Sequence, residues 1–301
     1  MARVRRLVVR TTLVLLVVLF AAFLWKTRVE AHKMVTNPRA TRKVATVTPA
    51  SRQLPFEDAH VTTVDGFKLA GWFIPGSGRA TVMLVHGYKD QRGVMLGVAD
   101  ILHRHGYGVL VASLRAHDTN DGELISFGLY EVQDLEAWYQ FLHGRADVDQ
   151  AHIGVFGASM GGSISLRYAS QNSEIKAVIA DCAFSSVDDT AATSIKFFTG
   201  LPPFPFAPAI IFWAEREIGA SVSDLDVKKW IGKISPRPVF LLQGGKDVVV
   251  SAESGKRLFE AAGNPKEMWW EPEVGHAQFL KMMPEQFEAR VTRFLDRYLK
   301  P

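Results

Sequence analysis

Short apolar runs alternate with helical patterns along the chain from about residue 80 to its end. Apolar runs of roughly four to eight residues are typical of strands that are buried on both faces of a sheet. Apolar residues that recur every three or four positions instead predict amphipathic helices. The predicted strands are 81–85, 109–112, 153–156, 177–180, 238–242 and 266–270, and the predicted helices are 94–105, 130–142, 160–170, 251–262 and 284–299. This alternation predicts an α/β fold with a mostly parallel central sheet and helices on both faces.

Two segments do not follow this alternation of strands and helices. Residues 60–65 and 67–74 alternate apolar and polar positions around a turn at Gly66, which is typical of an antiparallel hairpin. Residues from about 186 to 235 lie between two core strands and are too many for one crossover helix. Within them, residues 196–213 hold nine large apolar residues and four prolines. We interpret 186–235 as a cap inserted over the carboxyl edge of the sheet, with prolines that interrupt any long helix.

The N-terminal segment carries a long uncharged stretch. Fifteen residues without a charge follow Arg10, and the apolar stretch reaches nineteen if it begins at Leu7 and Arg10 extends its guanidinium to the lipid headgroups. A membrane-spanning helix needs about 20 residues. We therefore predict an uncleaved, single-pass membrane anchor over residues 1–29, followed by a polar tether over residues 30–54.

Two other interpretations of this segment remain. A cleaved signal peptide needs a small-residue cleavage pattern, and Val29-Glu30-Ala31 fits it only in part because of the charges around it. A buried helix of a soluble protein is the other. The arginines before the stretch favour a cytoplasmic N-terminus and an extracytoplasmic position for the rest of the chain, although further basic residues follow the stretch. Cleavage would instead give a secreted protein.

Composition and charge narrow the class of protein. The 301 residues are 48% apolar and 22% charged, an ordinary globular mixture that excludes wholesale disorder and a multi-span membrane protein. Of the charged residues, 1–43 hold ten Lys or Arg and one acid, whereas the rest of the chain holds 25 basic and 30 acidic residues. Such a mildly acidic body does not suit a nucleic acid. The single cysteine, Cys182, excludes an intramolecular disulfide and a cysteine-based zinc site.

A candidate nucleophile lies between a predicted strand and a predicted helix. Gly157-Ala158-Ser159-Met160-Gly161 is a G-x-S-x-G sequence that follows strand 153–156 and opens helix 160–170. A serine on so sharp a turn has strained backbone angles and needs small neighbours, and the turn exposes its hydroxyl in a cleft. The alternative is a glycine-rich turn that serves only close packing. The strand and the helix on either side favour Ser159 as the nucleophile.

A serine hydroxyl needs a neighbouring base, and the base needs an orienting carboxylate. His276 lies on a loop between the last predicted strand and the last predicted helix, and no apolar face requires it there. Asp247 follows strand 238–242 at a tight loop, and Asp181, which also follows a strand, is its main rival. We predict that Ser159, Asp247 and His276 form a triad, and their order along the chain is one that such triads use.

The oxygen of a substrate carbonyl needs two backbone donors when it becomes negative. The N–H of Met160 follows the nucleophile directly. We predict the N–H of Tyr88 as the second donor, because Gly87 lets the chain turn back after strand 81–85. His86 is interpreted as a structural hydrogen-bonding residue rather than a base.

These motifs resemble the α/β-hydrolase superfamily over about residues 55–300. The resemblance rests on the G-x-S-x-G sequence, on His86-Gly87 after a strand, and on Gly106-Tyr-Gly-Val-Leu110 leading into the next. Many members have Asp-x-Arg-Gly-His-Gly-x-Ser where this chain reads Ser-Leu-Arg-Ala-His-Asp-Thr over 113–119. The segment 56–75 looks like a membrane-anchored or exported branch of bacterial serine hydrolases. The resemblance implies esterase, thioesterase or peptidase chemistry without a metal or an organic cofactor.

We therefore predict a serine hydrolase domain over residues 55–301 that cleaves a carboxylic ester of a small-molecule acyl substrate. The alternatives are an acyl thioesterase, a serine peptidase, or a membrane-tethered binding protein that keeps the fold without catalysis. Phe204 and Phe206 of the cap are predicted to line an acyl pocket. Alternatively, the apolar residues of the cap only seal it against the sheet.

Overall fold

One mixed sheet organises the protein. The computed structural model describes residues 1–78 and 80–300. Within them the strands are β1 (Glu57–Thr62), β2 (Lys68–Ile74), β3 (Thr81–Val85), β4 (Gly108–Ala112), β5 (Ile153–Ala158), β6 (Ile175–Asp181), β7 (Val239–Gly244) and β8 (Lys266–Glu271). Their order is β1-β2-β4-β3-β5-β6-β7-β8. The pairs β1–β2 and β2–β4 are antiparallel, and all other neighbours are parallel.

The α-helices connect these strands and precede them. They are α1 (Ala2–Val35), α2 (Leu96–Arg104), α3 (Glu131–His143), α4 (Met160–Gln171), α5 (Val187–Thr199), α6 (Pro203–Ile218), α7 (Lys228–Ile231), α8 (Glu253–Ala261), α9 (Phe279–Met282) and α10 (Pro284–Tyr298). Each strand and helix predicted after residue 80 is present, with both ends within two residues of the prediction. The predicted hairpin is present as β1 and β2, although its first strand begins at Glu57.

The central strands are apolar along their whole length because both faces of the sheet are covered. Val82 and Leu84 of β3 belong to a core cluster that includes residues of α2 and α10. Met83 and Val85 belong to a second cluster that includes residues of α3 and α4. The mostly parallel sheet with helices on both faces is therefore confirmed. Because β3, β5, β6, β7 and β8 are parallel, the loops after them meet at one edge of the sheet.

The cap consists of helices rather than of an irregular proline-rich loop. The prolines do not keep α6 from being helical, but the helical conformation is interrupted at Phe204, directly before Pro205, as the prolines predict. Pro203 occupies the first turn, where no helical hydrogen bond is lost. The bond that Pro208 cannot donate would go to Phe204, whose ψ of 134° is not helical. A proline at 208 is therefore compatible with the helix that follows it.

The N-terminal helix is longer than the predicted anchor and ends against the catalytic domain. It continues past residue 29 to Val35, and Ala31 and Val35 are buried. The backbone after it also contacts the domain, since the N–H of Asn37 donates to the carbonyl of Glu123. Residues 1–22 are exposed along the helix. The chain after α1 is thus attached to the domain surface, where we had expected a polar tether.

Arg42 makes the strongest polar contacts of this attachment. Its guanidinium is buried and donates to the carbonyl oxygens of Asn37, Asn120 and Gly122, each at 2.7 Å. Three bonds from a charged donor lock the segment, because breaking them leaves a buried cation unpaired.

We expect Arg42→Ala to release this segment. Losing charge-assisted hydrogen bonds costs about 1.5–3 kcal/mol, so thermolysin cleavage within residues 36–54 of the full-length protein should accelerate by roughly ten- to a hundredfold. Arg39→Ala is the control, because the side chain of Arg39 is exposed and pairs with Asp121 at the surface. Equal cleavage of both variants and the parent would mean that the segment is a free tether after all.

Candidate active site

Ser159 occupies a sharp turn between β5 and α4. Its backbone has φ 55° and ψ −124°, a conformation that costs energy for any residue with a side chain. The turn is held by the N–H of Ser159, which donates to the carbonyl of Asp181 at the end of β6 at 2.7 Å. The strained residue is therefore fixed by its neighbouring strand.

The glycines around Ser159 are required by contact distances. A Cβ at position 157 would lie 2.3 Å from the carbonyl oxygen of Gly161, and a Cβ at position 161 would lie 2.4 Å from that of His86. Real Cβ atoms do not approach backbone this closely. The spacing of the G-x-S-x-G sequence thus follows from how tightly the turn and the loop after β3 pack.

His276 and Asp247 reach Ser159 from two other loops at the same sheet edge. The Nε2 atom of His276 lies 2.7 Å from the hydroxyl oxygen of Ser159. Its Nδ1 atom lies 2.7 Å from Oδ2 of Asp247, and because a carboxylate only accepts, Nδ1 carries the proton. The other carboxylate oxygen accepts the N–H groups of Val249 and Val250 at 2.9 Å each. Asp247 is buried, whereas the imidazole keeps a partly exposed edge.

Asp181 lies close to this arrangement but does not bond the imidazole. Burial raises the pKa of its carboxyl to about 7, with smaller opposing influences from Cys182 and His276. Asp181 contacts the serine through its backbone carbonyl, which accepts the N–H of Ser159. Of the two candidate acids, Asp247 is the one in contact with His276.

The loop after β3 lies directly against the serine. A Cβ at Gly87 would lie 3.3 Å from the Cβ of Ser159, so a side chain there would press on the nucleophile. The backbone at Gly87, directly before Tyr88, therefore lies beside the serine. His86 is fully buried, accepts the N–H of Leu114 through Nε2 at 3.2 Å, and has a pKa lowered by burial. These contacts agree with the prediction that His86 is a structural hydrogen-bonding residue.

One group of possible metal ligands includes two of these residues. Among the described residues, Cys182, Asp247 and His276 bring potential ligand atoms within 4.8 Å of one another. Asp247 and His276 are already bonded to each other, and the sulfur of Cys182 accepts the N–H of Ala277 at 3.3 Å. Burial raises the pKa of the Cys182 thiol, which disfavours the thiolate that a metal needs. The donor set fits a hydrogen-bonded catalytic group better than a cation.

An apolar cavity opens above Ser159. Its walls come from the cap helices, the loop after β3 and the end of α1, and include Met34, Tyr88, Ala191, Ile195, Phe198 and Ile210. Few polar atoms line it, so its surface matches that of a hydrocarbon chain. The prediction that the cap supplies an apolar wall agrees with this placement, but the wall is made of residues other than those we named.

Phe204 and Phe206 do not line this cavity. The side chain of Phe204 is 83% exposed at the start of α6. Phe206 faces α1, where its ring lies 5.2 Å from that of Phe23. Positions 206 and 210 lie about one turn apart on the same face of α6, and of the two only Ile210 reaches the cavity, whereas Phe206 stays beside α1. The pocket assignment of Phe204 and Phe206 is therefore corrected.

The sequence analysis missed the contribution of α1 to the site. Met34 and Val35 line the cavity, and the hydroxyl of Tyr88 donates to the carbonyl of Met34 at 2.7 Å. The signal was present in the helical spacing of Thr27, Ala31 and Val35, which are the buried positions of this face. That spacing lies within a segment that we interpreted as anchor and tether.

Comparisons with known proteins agree with this architecture. The sequence model of the family described as serine aminopeptidase, S33, matches residues 76–212. Protein Rv2307c of Mycobacterium tuberculosis, described as uncharacterized, is 30% identical over 277 residues, which cover 89% of this chain and 85% of that protein. The α/β hydrolase domain-containing protein WAV2 of Arabidopsis thaliana is 28% identical over 263 residues, covering 84% and 82% of the two chains.

Among solved structures, this chain is similar to the esterase Pf2001 of Pyrococcus furiosus. The two superpose with a TM-score of 0.75 and 30% sequence identity, covering 89% of this chain and 98% of the esterase. The sheet order, the strained serine turn and these likenesses agree with one another. The chain belongs to the α/β-hydrolase superfamily of serine hydrolases.

Proposed function

We propose that this protein is a membrane-anchored serine hydrolase that cleaves carboxylic esters with an apolar acyl group. The observation that carries the proposal is the continuous set of hydrogen bonds from Ser159 through His276 to Asp247, in which Ser159 lines an apolar cavity and His276 lines a second, more polar depression beside it. A serine, a base and a buried acid at these distances can perform acyl transfer.

The reaction proceeds through an acyl-enzyme. The hydroxyl oxygen of Ser159 attacks the ester carbonyl carbon while Nε2 of His276 takes its proton, and Asp247 stabilises the imidazolium that forms. The C–O bond to the alcohol then breaks, and the alcohol leaves with the proton from His276. Water, deprotonated by the same imidazole, attacks the acyl-serine and releases the acid and the free serine.

The backbone N–H groups of Tyr88 and Met160 are the proposed donors to the oxyanion. Both residues adjoin Ser159, one across the close contact at Gly87 and the other along the chain. Backbone donors held by rigid neighbours stabilise the developing charge without reorganising. The side chain of Tyr88 helps to hold this loop, since its ring stacks on Phe127 at 5.5 Å.

The cavity favours an ester over a peptide. A peptide substrate would place its own N–H and C=O groups against apolar side chains, where they would lose hydrogen bonds. Pf2001, which resembles this chain over nearly its whole length, is described as an esterase, whereas the matching family model is named for an aminopeptidase. A thioester fits the same cavity, so an acyl thioesterase is the second candidate.

The N-terminal helix is proposed to remain attached as the membrane anchor. It is long and apolar enough to span a bilayer, and residues 1–22 are exposed. The partial cleavage pattern at residues 29–31 would place the cut after Ala31, a residue of α1 that is fully buried against the cap. Cleavage there would expose apolar cap residues that the end of α1 covers.

The charges beside the apolar stretch support a cytoplasmic N-terminus and an extracytoplasmic domain. On the domain side, Lys26 and Lys33 both pair with Glu30, at 2.8 and 3.2 Å. Arg28 lies over the ring of Trp213. The four arginines at positions 3, 5, 6 and 10 precede the stretch and are exposed, so the free positive charge is concentrated at the N-terminus.

The nucleophile and the base can be tested directly. Ser159→Ala should abolish labelling by a fluorophosphonate, and both Ser159→Ala and His276→Ala should lower kcat by several orders of magnitude, because triad members act as a unit. Ser170→Ala, on the same helix but away from the cavity, is the matched control and should label fully. Undiminished labelling of Ser159→Ala would refute the assignment.

The choice of acid is tested by two amide substitutions. Asp247→Asn removes the negative charge beside His276. Because the amide oxygen keeps the bonds from Val249 and Val250, the NH2 group faces Nδ1 and disfavours the tautomer protonated there, so kcat should fall by roughly three to four orders of magnitude with folding retained. Asp181→Asn should stay within about threefold, because the buried carboxyl, with its pKa raised to about 7, is largely neutral below pH 7. The reverse result, measured at pH 6 with a nitrophenyl ester, would make Asp181 the catalytic acid.

The acyl cavity is tested with a chain-length series of nitrophenyl esters. Each methylene buried contributes about 0.8 kcal/mol, so kcat/KM should rise about three- to fourfold per methylene until the cavity is full. Ala191→Phe should remove this rise for longer chains and spare the acetyl ester, since position 191 faces the cavity. Phe204→Ala, which changes a residue outside the cavity, should leave the series unchanged.

The same series separates the candidate reactions. An acyl thioester and an aminoacyl amide are assayed beside the esters. A kcat/KM for the amide that exceeds that for every ester would favour the peptidase. An equal loss for all esters in Ala191→Phe would mean that the cap was destabilised rather than the cavity shortened.

A further inference from the structure

The tip of the cap exposes large aromatic side chains, and among them Phe204 lines neither of the two depressions at Ser159. Phe197 at the end of α5 is 54% exposed, and Phe204 at the start of α6 is 83% exposed. Phe198 is also exposed and packs edge-to-face against Phe197 and against Tyr88, with 5.1 Å between ring centroids in each pair. Exposed aromatic groups clustered in this way mark a surface that is covered by something else.

The packing of α1 on α6 places this tip relative to the anchor. Three pairs connect the two helices: Phe23 with Phe206 at 5.2 Å between ring centroids, Arg28 over Trp213 at 5.6 Å, and His32 with Glu217 at 2.6 Å. Residue numbers rise together along both helices, so the helices run in the same direction. The start of α6, and with it the tip, therefore lies toward the N-terminal, apolar part of α1.

The tip is level with the edge of the apolar stretch. Phe23 belongs to the uncharged residues that end at Trp25, and Lys26 follows. An aromatic residue next to a basic one is typical of the boundary between hydrocarbon and headgroups. Phe204 precedes Phe206, the partner of Phe23, so it lies at or beyond that boundary on the hydrocarbon side.

The cap helices also have the composition of a membrane-associated segment. Taken together, α5 and α6 are comparable with α1 in length and apolar composition, with a bend of 99° between them. Such a bent pair does not cross a bilayer as a straight helix does. It suits a segment that enters one leaflet and returns.

A further depression adjoins the apolar cavity above Ser159, and Phe198, Tyr88 and Met34 separate the two. This depression lies between α1 and α5, and it is bordered by Lys33, Lys43 and Lys89 and by Glu30, the partner of Lys33. Lysines at the rim of such a depression suit the headgroup region of a bilayer, where ammonium groups meet phosphates.

From these observations we propose that the tip of the cap inserts into the same bilayer as α1, and that the substrate is an acyl ester dissolved in that bilayer. The substrate passes between α1 and α5, beside Phe198, and its acyl chain enters the cavity without crossing water. The proposal rests on the proposed function, since it needs both the anchor and the acyl cavity. We favour a bilayer over a second copy of the chain as the cover of the tip. The reason is that the tip lies beside α1, the helix proposed to span that bilayer.

The position of the tip is measured with the full-length protein in phosphatidylcholine vesicles. An environment-sensitive fluorophore is attached to Phe204→Cys, and Val64→Cys, at a 92% exposed position in the β1–β2 turn, is the control. The native Cys182 is buried and should not react. Emission from position 204 should shift to the blue and be quenched by phospholipids brominated in their acyl chains, whereas emission from position 64 should not change.

Each of the other outcomes would overturn the proposal, and the measurements distinguish these outcomes from one another. Unquenched emission from position 204 in protein that floats with the vesicles would place the tip in water and leave the anchor intact. A blue shift that depends on protein density and not on brominated lipid would identify a second copy as the cover. Failure to float with vesicles would refute the anchor as well.

The route of the substrate is measured with a charge substitution at the tip. Phe204→Glu should lower the hydrolysis of nitrophenyl palmitate dissolved in the vesicles by roughly tenfold, because an aromatic ring inserted in the bilayer is replaced by a carboxylate. Hydrolysis of water-soluble nitrophenyl butyrate should stay within about twofold of the parent, since Phe204 lies outside the cavity. Val64→Glu should change neither rate.

A parallel fall of both rates in Phe204→Glu, or no change in either, would overturn the membrane route. An absence of butyrate hydrolysis in the parent protein would instead refute the ester hydrolase itself, and the quenching measurement would still locate the tip.

Discussion

The rest of the site depends on the backbone of Ser159, which is held at a positive φ between β5 and α4. A strained residue of this kind persists only where its surroundings determine it. Here the carbonyl of Asp181 holds the serine N–H, and contacts of Gly157 and Gly161 leave no space for a side chain. The parallel strands therefore have to end at the same edge, close together, before the hydroxyl can meet a base from another loop.

Some polar groups of the site are buried, and others are partly exposed. Asp247 is buried and both of its oxygens are occupied, so its orientation toward His276 is fixed before any substrate arrives. The imidazole keeps an exposed edge through which protons and water can pass. On the other side of the serine, the cavity is almost wholly apolar. A polar catalytic edge beside an apolar wall suits a substrate with a reactive carbonyl and a hydrocarbon tail.

The N-terminal helix connects two parts of the molecule that are usually described separately. Its first 22 residues are exposed, and its last turns cover the cap and close the cavity at Met34. One continuous helix thus joins the proposed anchor to the proposed acyl cavity. Because a helix transmits position rigidly, the depth of the anchor in a membrane would also set the depth of the cap. In this arrangement, insertion of the cap tip into the membrane would explain why its phenylalanines are exposed.

The sequence alone determined the α/β class, the positions of the core strands, and the three residues Ser159, Asp247 and His276 as candidates. These features follow from local patterns, because buried strands must be apolar and a strained turn needs glycines at set spacings. Only the tertiary structure decided between Asp247 and Asp181 as the partner of His276, replaced Phe204 and Phe206 by Ile195 and Ile210 in the cavity wall, and added Met34 of α1. Those outcomes depend on which surfaces meet across long stretches of chain, and no local pattern specifies such contacts.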